Sequence, residues 1–360
     1  MHPRPRCKRR RAVRHLSDHS AGGRAVKQDQ WKTSVIIPCY KAAATLPRAA
    51  ASALHGAPPG TELLLVDDGS PDGTGALCDE LAARDPRITA LHRPNGGAGA
   101  ARNTGLDAAR GRWVLFLDAD DELLPGLWDA LDRCDPDAEM ILFGLRRASA
   151  PQNDVLAPLP EGCYHGLAAL GEALAPLLFD TGLLAAPYPK LFRRDAIGPL
   201  RFAEGLKINE DVLFNIQFLQ NSTAIYCLRG VYYKQNDLTD GSLSRSLRGD
   251  LLDAEEVTRP ALADLLRRAG LDPAPYLRTS RVRACLNQYG LLTGCRGALP
   301  FARRRALFAR ILQDADARAA LLDRLRRDPN RLLALPYRAG VKCRWPGFLA
   351  AYTLAKQHFL

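Results

Sequence analysis

Apolar residues fall along this chain in two rhythms, and the change between them sets the architecture. From Lys32 onward, "TSVIIP", "TELLLVDDG", "RITALHR" and "RWVLFLDAD" are short, partly β-branched runs in which apolar residues follow one another without alternation. Such runs belong to strands covered on both faces. Helix-like stretches, "AATLPRAAASALHG" and "GALCDELAARDP", separate them. The β-α-β-α-β order predicts an α/β fold with a mostly parallel central sheet and helices on each side. Beyond about residue 245 the pattern turns helical. There "FARRRALFARILQDADARAALLDRLRRDP" interleaves Phe301, Leu307, Phe308, Ile311, Leu312, Leu321, Leu322 and Leu325 with arginines. That spacing fits a helical hairpin packed on the domain, or a basic amphipathic surface resting on anionic lipid. Three segments follow: a basic leader at 1–31, an α/β domain at 32–245 and a helical, basic extension at 246–360.

In parallel sheets with helices on both faces, ligands sit beyond the carboxyl ends of the strands. Three of the predicted strand ends carry unusual residues: "PCY", "DDGS" and "DADD". After the first, Pro38 either stops the ladder with Tyr40 packed beside it, or the two present a flat ring to a nucleobase. After the second, Asp68 either builds a turn or accepts the imide N–H of uracil. In "NGGAGAARNTGLDAARG", the Gly97-Ala98-Gly99 string looks like the start of a dinucleotide fingerprint but follows the third strand, and Arg102 stands where the third glycine belongs. It reads better as a Gly-rich loop opening a helix, with Arg102 and backbone N–H groups available to a diphosphate.

The fourth strand runs into Asp118, Asp120, Asp121 and Glu122, four repelling carboxylates with nothing basic nearby in sequence. Asp118 and Asp120, first and third of an extended triplet, point the same way. They suit a hard divalent cation such as Mg or Mn, which takes one or two carboxylates and completes its shell on substrate phosphates. Some ninety residues later, "LKINEDVLFNIQFLQ" predicts a helix beginning at Glu210, with Asn209 as N-cap and Val212, Leu213, Phe214, Ile216 and Phe218 turned inward. Its two leading acids are either dipole partners or reactive groups.

Composition narrows the class. The 360 residues are 47% hydrophobic, enough for a sizeable core, and no run reaches the roughly 20 apolar residues of a membrane span. The longest apolar region, "GLAALGEALAPLLFDTGLLAAPYP", is broken by acids and prolines and reads as core. Nine scattered cysteines indicate neither a disulfide framework nor a zinc site and fit a reducing cytoplasm. Residues 1–32 hold ten basic and two acidic side chains, and residues 301–360 thirteen and four. The total of +11 therefore conceals an acidic middle between basic ends. The leader lacks the apolar stretch of a signal peptide. Basic ends could also serve nucleic acid, but no helix-turn-helix, zinc-finger or RNP-type motif accompanies them.

Taken together, "SVIIPCY", "LLLVDDGSPDGT", "RPNGGAGAARNTGLDAARGRWVLFLDADD" and "PKLFRR…RFAEGLKINEDVLF" resemble bacterial family 2 glycosyltransferases over about residues 32–245. The resemblance implies a GT-A, Rossmann-like domain that moves a sugar with inversion from a nucleotide-sugar donor, usually a UDP-sugar, to a glycan or lipid-linked acceptor. It implies that Pro38, Tyr40, Asp68, Gly69 and Arg102 contact the nucleotide, that Asp118 touches the ribose side of the donor and that Asp120 holds Mn or Mg. Asp211 is implied as general base and Glu210 as its partner. Peripheral contact with anionic membrane on the cytoplasmic side suits such an enzyme. Two departures from the family pattern, Lys41 and Ala44, remove polar contacts near the base. They leave open a catalytically silent nucleotide-sugar-binding protein of the same fold. A nucleotidyltransferase fits less well, because "PCYKAAAT" offers no Gly-rich phosphate loop.

Overall fold

The computed structural model describes residues 32–236, 251–294, 299–328 and 331–359. The leader at 1–31 and the expected domain boundary at 245 lie outside them. Four strands form one half of a single sheet: β1 (Thr33–Cys39), β2 (Glu62–Asp67), β3 (Ile88–His92) and β4 (Trp113–Phe116). They run parallel in the order β3-β2-β1-β4, as their continuous apolar runs predict. Every residue of β2 and β4 is buried. Helices α1 (Leu46–Leu54), α2 (Thr74–Arg84) and α3 (Ala98–Ala108) make the crossovers. Pro38 does not stop the first ladder, since it pairs opposite Val66 and the strand continues to Cys39.

The other half is mixed. A two-residue β5 (Glu122–Leu123) and a short α4 (Leu127–Ala130) precede β6 (Met140–Arg147), β7 (Gly162–His165) and β8 (Lys190–Arg193). After α5 (Arg194–Ile197) and α6 (Glu210–Asn221) comes the long β9 (Ala224–Gln235). Beyond β4 the order is β8-β6-β9-β5, with β8 antiparallel to both β4 and β6, while β6 and β9 form a long parallel ladder. β9 also returns antiparallel to β5, with Glu122 opposite Lys234 and Leu123 opposite Tyr233. That pairing brings the acid cluster a partner more than a hundred residues away. The apolar 166–189 stretch lies in the core, where Leu167, Leu170, Leu174, Leu177, Leu178, Leu183 and Leu184 are buried.

Helices α7 (Leu251–Arg268) and α8 (Pro273–Gly294) connect two hydrophobic cores. Leu262, Leu265 and Leu266 of α7 join the sheet's core. Leu252 of the same helix, with Cys285, Tyr289 and Leu292 of α8, joins a second core built with α9 (Phe301–Gln313), α10 (Ala315–Arg326), α11 (Arg331–Lys342) and α12 (Pro346–Phe359). Leu307, Phe308, Ile311, Leu312, Leu321 and Leu325 are buried there, so this apolar stripe is core and faces no lipid. Among the described residues all cysteines are free, and no helix is long and apolar enough to cross a membrane.

Candidate active site

The carboxyl ends of β1, β2, β3 and β4 deliver their loops to one side of the sheet, and backbone bonds knit those loops together. Asp68 N–H donates to Cys39 O at 2.9 Å, Arg93 N–H to Asp67 O at 3.1 Å and Leu117 N–H to Ile36 O at 3.0 Å. Tyr40 stands exposed at this edge, with the Lys41 ammonium 5.5 Å from its ring centre. Lys41 is itself exposed, in a left-handed conformation (φ 53°).

Asp68 is almost wholly enclosed, and its carboxylate serves the Gly-rich loop. Gly96 N–H donates to one oxygen at 3.0 Å and Gly97 N–H to the other at 2.7 Å, with Arg93 at 3.5 Å. Neighbouring Gly69 has φ +65°, and a side chain there would meet the Asn95 backbone nitrogen at 2.8 Å. Only glycine allows the two loops this close. The sequence left Asp68 between building a turn and contacting a base. Here it anchors the loop that opens α3.

Arg102, on the second turn of α3, is 5% exposed. Its guanidinium donates to Asp118 at 3.0 Å and to Glu210 at 3.3 Å, and stacks 5.4 Å from the Phe202 ring centre. It therefore joins the end of β4 to the first turn of α6, two elements that are distant in sequence. The close approach depends on Gly99, where a Cβ would lie 3.1 Å from the Glu210 side chain. Asn103 makes a second tie, exchanging hydrogen bonds with the Phe202 backbone at 2.9 and 2.8 Å.

The four acids separate into distinct roles. Glu122 is neutralised by Lys234 at 2.8 Å and Arg48 at 3.2 Å, two bases invisible from the local sequence. Asp121 is 2% exposed and accepts from Tyr233 Oη at 2.6 Å and Asn236 N–H at 2.8 Å. Burial, and next the Asp118 charge, push its carboxyl up to about 8. Asp120 accepts from Asn236 at 2.7 Å and Arg48 at 3.0 Å through its backbone carbonyl, while its carboxylate takes no ion pair or hydrogen bond from another described residue. Burial and then Asp118 raise its pKa as well. The cluster thus holds more negative charge than its protein neighbours offset, the condition a hard cation would satisfy. Among the described residues no three His, Cys, Asp or Glu side chains form a metal cage.

Helix α6 begins at Glu210 as its sequence predicts, but not through an Asn209 cap. Asn209 is left-handed (φ 64°) and its side chain makes no capping bond. Asp211 Oδ1 instead accepts the Val212 N–H at 2.8 Å. Phe214, Ile216 and Phe218 are buried, while Val212 and Leu213 are only half-buried. Burial and the adjacent Glu210 charge push the Asp211 carboxyl up to about 6.

Sequence reasoning missed the buried polar residues around Asp211. Asn215, one turn on and fully buried, donates its amide to Asp211 O at 2.8 Å, Ala186 O at 2.9 Å and Ala185 O at 3.0 Å. Lys190, fully buried on β8, donates to Ala186 O and to Tyr188 O at 3.3 Å. Burial lowers the Lys190 pKa to about 7 against the opposing pull of Asp211. Tyr188 stacks on Tyr233 with ring centres 4.6 Å apart. The available signal was a lysine inside the apolar run "YPKLF".

The carboxyl edge of this α/β sheet thus gathers an exposed ring, a glycine-shaped loop and the carboxylates of Asp118 and Glu210 joined by Arg102. The chain belongs to glycosyl transferase family 2, whose pattern matches residues 34–151. It is 33% identical over 248 residues to the succinoglycan biosynthesis protein ExoO of Rhizobium meliloti, covering 66% of this chain and 68% of that one. It is 28% identical over 211 residues to an uncharacterised glycosyltransferase of Bacillus subtilis, EpsJ, covering 56% of this chain and 61% of that relative. Among solved structures, residues 1–349 of S. aureus TarS with UDP-GlcNAc superpose with a TM-score of 0.56 at 20% identity, over 91% of this chain and 92% of that one. That likeness establishes the shared fold.

Proposed function

We propose that the protein is an inverting glycosyltransferase that takes its sugar from a nucleotide-sugar, a UDP-sugar by preference, for cell-surface polysaccharide synthesis. The observation that carries this reading is the Arg102 junction, which sets Asp118 of the strand edge beside Glu210 and Asp211 of α6. The TarS and ExoO likenesses support the donor class and the polysaccharide role. Pro38 and the exposed Tyr40 ring border the base, and Asp118 faces the ribose. Asp68 and Gly69 shape the loop below them. Arg102 supplies the positive charge that holds donor-side and acceptor-side carboxylates together.

Asp211 acts as general base. It takes the proton of an acceptor hydroxyl as that oxygen forms a bond to the anomeric carbon, and the bond to the diphosphate breaks with its electron pair leaving on the nucleotide. A carboxyl near 6 is ionised at neutral pH yet more basic than an ordinary aspartate. Glu210, fixed by Arg102, orients it. Asp120 fits a divalent cation, Mn or Mg, which when bound would offset charge on the diphosphate. The acceptor is a glycan or a lipid-linked glycan, reached from the cytoplasmic face with the protein held peripherally on the membrane.

The test is UDP release from a panel of UDP-sugars, with and without Mn, followed by acceptor screening. Asp211→Asn should keep donor affinity while transfer falls by about 10²- to 10⁴-fold. Unimpaired transfer in that variant would reject the base assignment. Donor binding without turnover under every condition would leave a silent binding protein.

A further inference from the structure

With the apolar stripe of α9 and α10 buried, a different apolar surface remains uncovered on the C-terminal helices. Lys342, Cys343, Arg344 and Trp345, the turn between α11 and α12, are all exposed, and Arg344 adopts a left-handed conformation (φ 54°). Trp345 is 56% exposed and Phe348 39%. Their rings meet edge to face at 6.2 Å, and Phe348 stacks on Tyr352 at 6.0 Å. The first turns of α9 lie alongside, because a Cβ at Gly347 would be 3.9 Å from the Arg305 side chain. Phe301, one helical turn before Arg305, is 46% exposed. On α11, Leu335, Arg338 and Lys342 recur at helical spacing, with Leu335 51% exposed.

We propose that the α11–α12 turn, with the start of α9, is a membrane-interface face that seats Trp345 and Phe348 among anionic lipid headgroups. The charge argues for this occupant. Residues 329–360 contain five basic and no acidic side chains, so a second copy presenting the same face would be repelled. Tryptophan prefers the headgroup level of a bilayer, and flanking Lys and Arg keep their charges in the wet layer while their stems lie along apolar surface. The proposal deepens the peripheral attachment suggested above. It would hold the active site close to an acceptor that is itself in the membrane.

The experiment uses the full chain and vesicles, with neither donor nor acceptor present. Vesicles of phosphatidylglycerol and phosphatidylcholine should bind the protein, and pure phosphatidylcholine should bind it poorly. Raising the salt should weaken binding by screening. Each charge removed in Lys342→Gln and Arg344→Gln should weaken binding about fivefold. The difference in emission between wild type and Trp345→Phe should shift to the blue on anionic vesicles and be quenched by brominated lipid. Lys342, Arg344 and Trp345 are exposed, so their single variants should keep the wild-type melting curve, while Phe348→Ala, which gives up the stack on Tyr352, should lower it without unfolding the chain. Equal vesicle binding by wild type and the Trp345→Ala/Phe348→Ala variant would overturn the proposal. So would self-association, or tighter binding to a single-stranded oligonucleotide than to vesicles, if lost in that variant. UDP release in lipid-free solution should be the same in all these proteins. Its failure in every one of them would sink the transferase reading and leave the vesicle result standing.

Discussion

At the scale of single residues, the proposed chemistry depends on how the charges around Asp211 balance. Glu210 lies beside it on α6, Arg102 approaches from α3, Asp118 from the end of β4, Lys190 from β8 and Tyr188 from the loop before it. As the proposed base, Asp211 must be ionised to accept a proton. kcat/KM should therefore rise with pH through about 6 and then level. In that range Lys190, whose pKa is about 7, is still cationic and favours the ionised base. Lys190→Met removes that charge, so the acid limb should move to higher pH. It also leaves the Tyr188 carbonyl without the lysine's bond, at a cost of about 1–3 kcal/mol. Lys190→Arg keeps the charge and should restore the limb, even if stability is not recovered. An unmoved limb in Lys190→Met would confine the lysine to packing. Asn215→Leu offers a contrast: it removes the amide ties to Asp211 and the 185–186 carbonyls without removing a charge, so kcat should fall while the limb moves less.

At the scale of elements, the site depends on how closely α3 lies on β1. A Cβ at Gly105 would sit 2.4 Å from the Ile36 side chain, deep in the sheet's core. Ala is the better helix former by roughly 1 kcal/mol, but overpacking a core costs about 1–3 kcal/mol. The clash should win. Gly105→Ala is expected to lower the denaturation midpoint and, by lifting Arg102 away from Asp118, to weaken donor binding as well. A stabilised variant would show that α3 has room to shift. This half of the molecule was readable from sequence because continuous apolar runs and glycine-bearing loops are local signals. The mixed half was less readable. β8 is four residues long with a lysine inside it, and β5 has only two residues. The acids at 118–122 looked uncompensated because Arg48, Tyr233, Lys234 and Asn236 come from other elements. Asp211 could be found as an acid opening an amphipathic helix. Its buried neighbours could not, since Lys190 and Asn215 bond backbone carbonyls that no spacing reveals.

At the scale of the whole molecule, α7 carries one end in each core, and this decides how the C-terminal helices behave. An arginine-interleaved apolar stripe has the same periodicity whether it faces lipid or protein, so the sequence left both open. The fold gives Leu307, Phe308 and Ile311 to Cys285, Tyr289 and Leu292. Removing residues 301–360 should therefore uncover the second core along α8 and the start of α7, and the shortened chain should aggregate. Phe308→Ala is the milder form of the same experiment. Phe308 is fully buried and packs edge to face on Tyr289 at 5.8 Å. Its truncation should cost about 3–5 kcal/mol through lost transfer and a residual cavity. The proposed nucleotide crevice draws on the other core, so the folded variant should bind donor with unchanged affinity while its melting temperature falls. A monodisperse, active fragment ending at residue 300 would mean that the first core alone supports α7 and α8. Their exposed inner faces make aggregation the expected result, read by size-exclusion chromatography against the full chain.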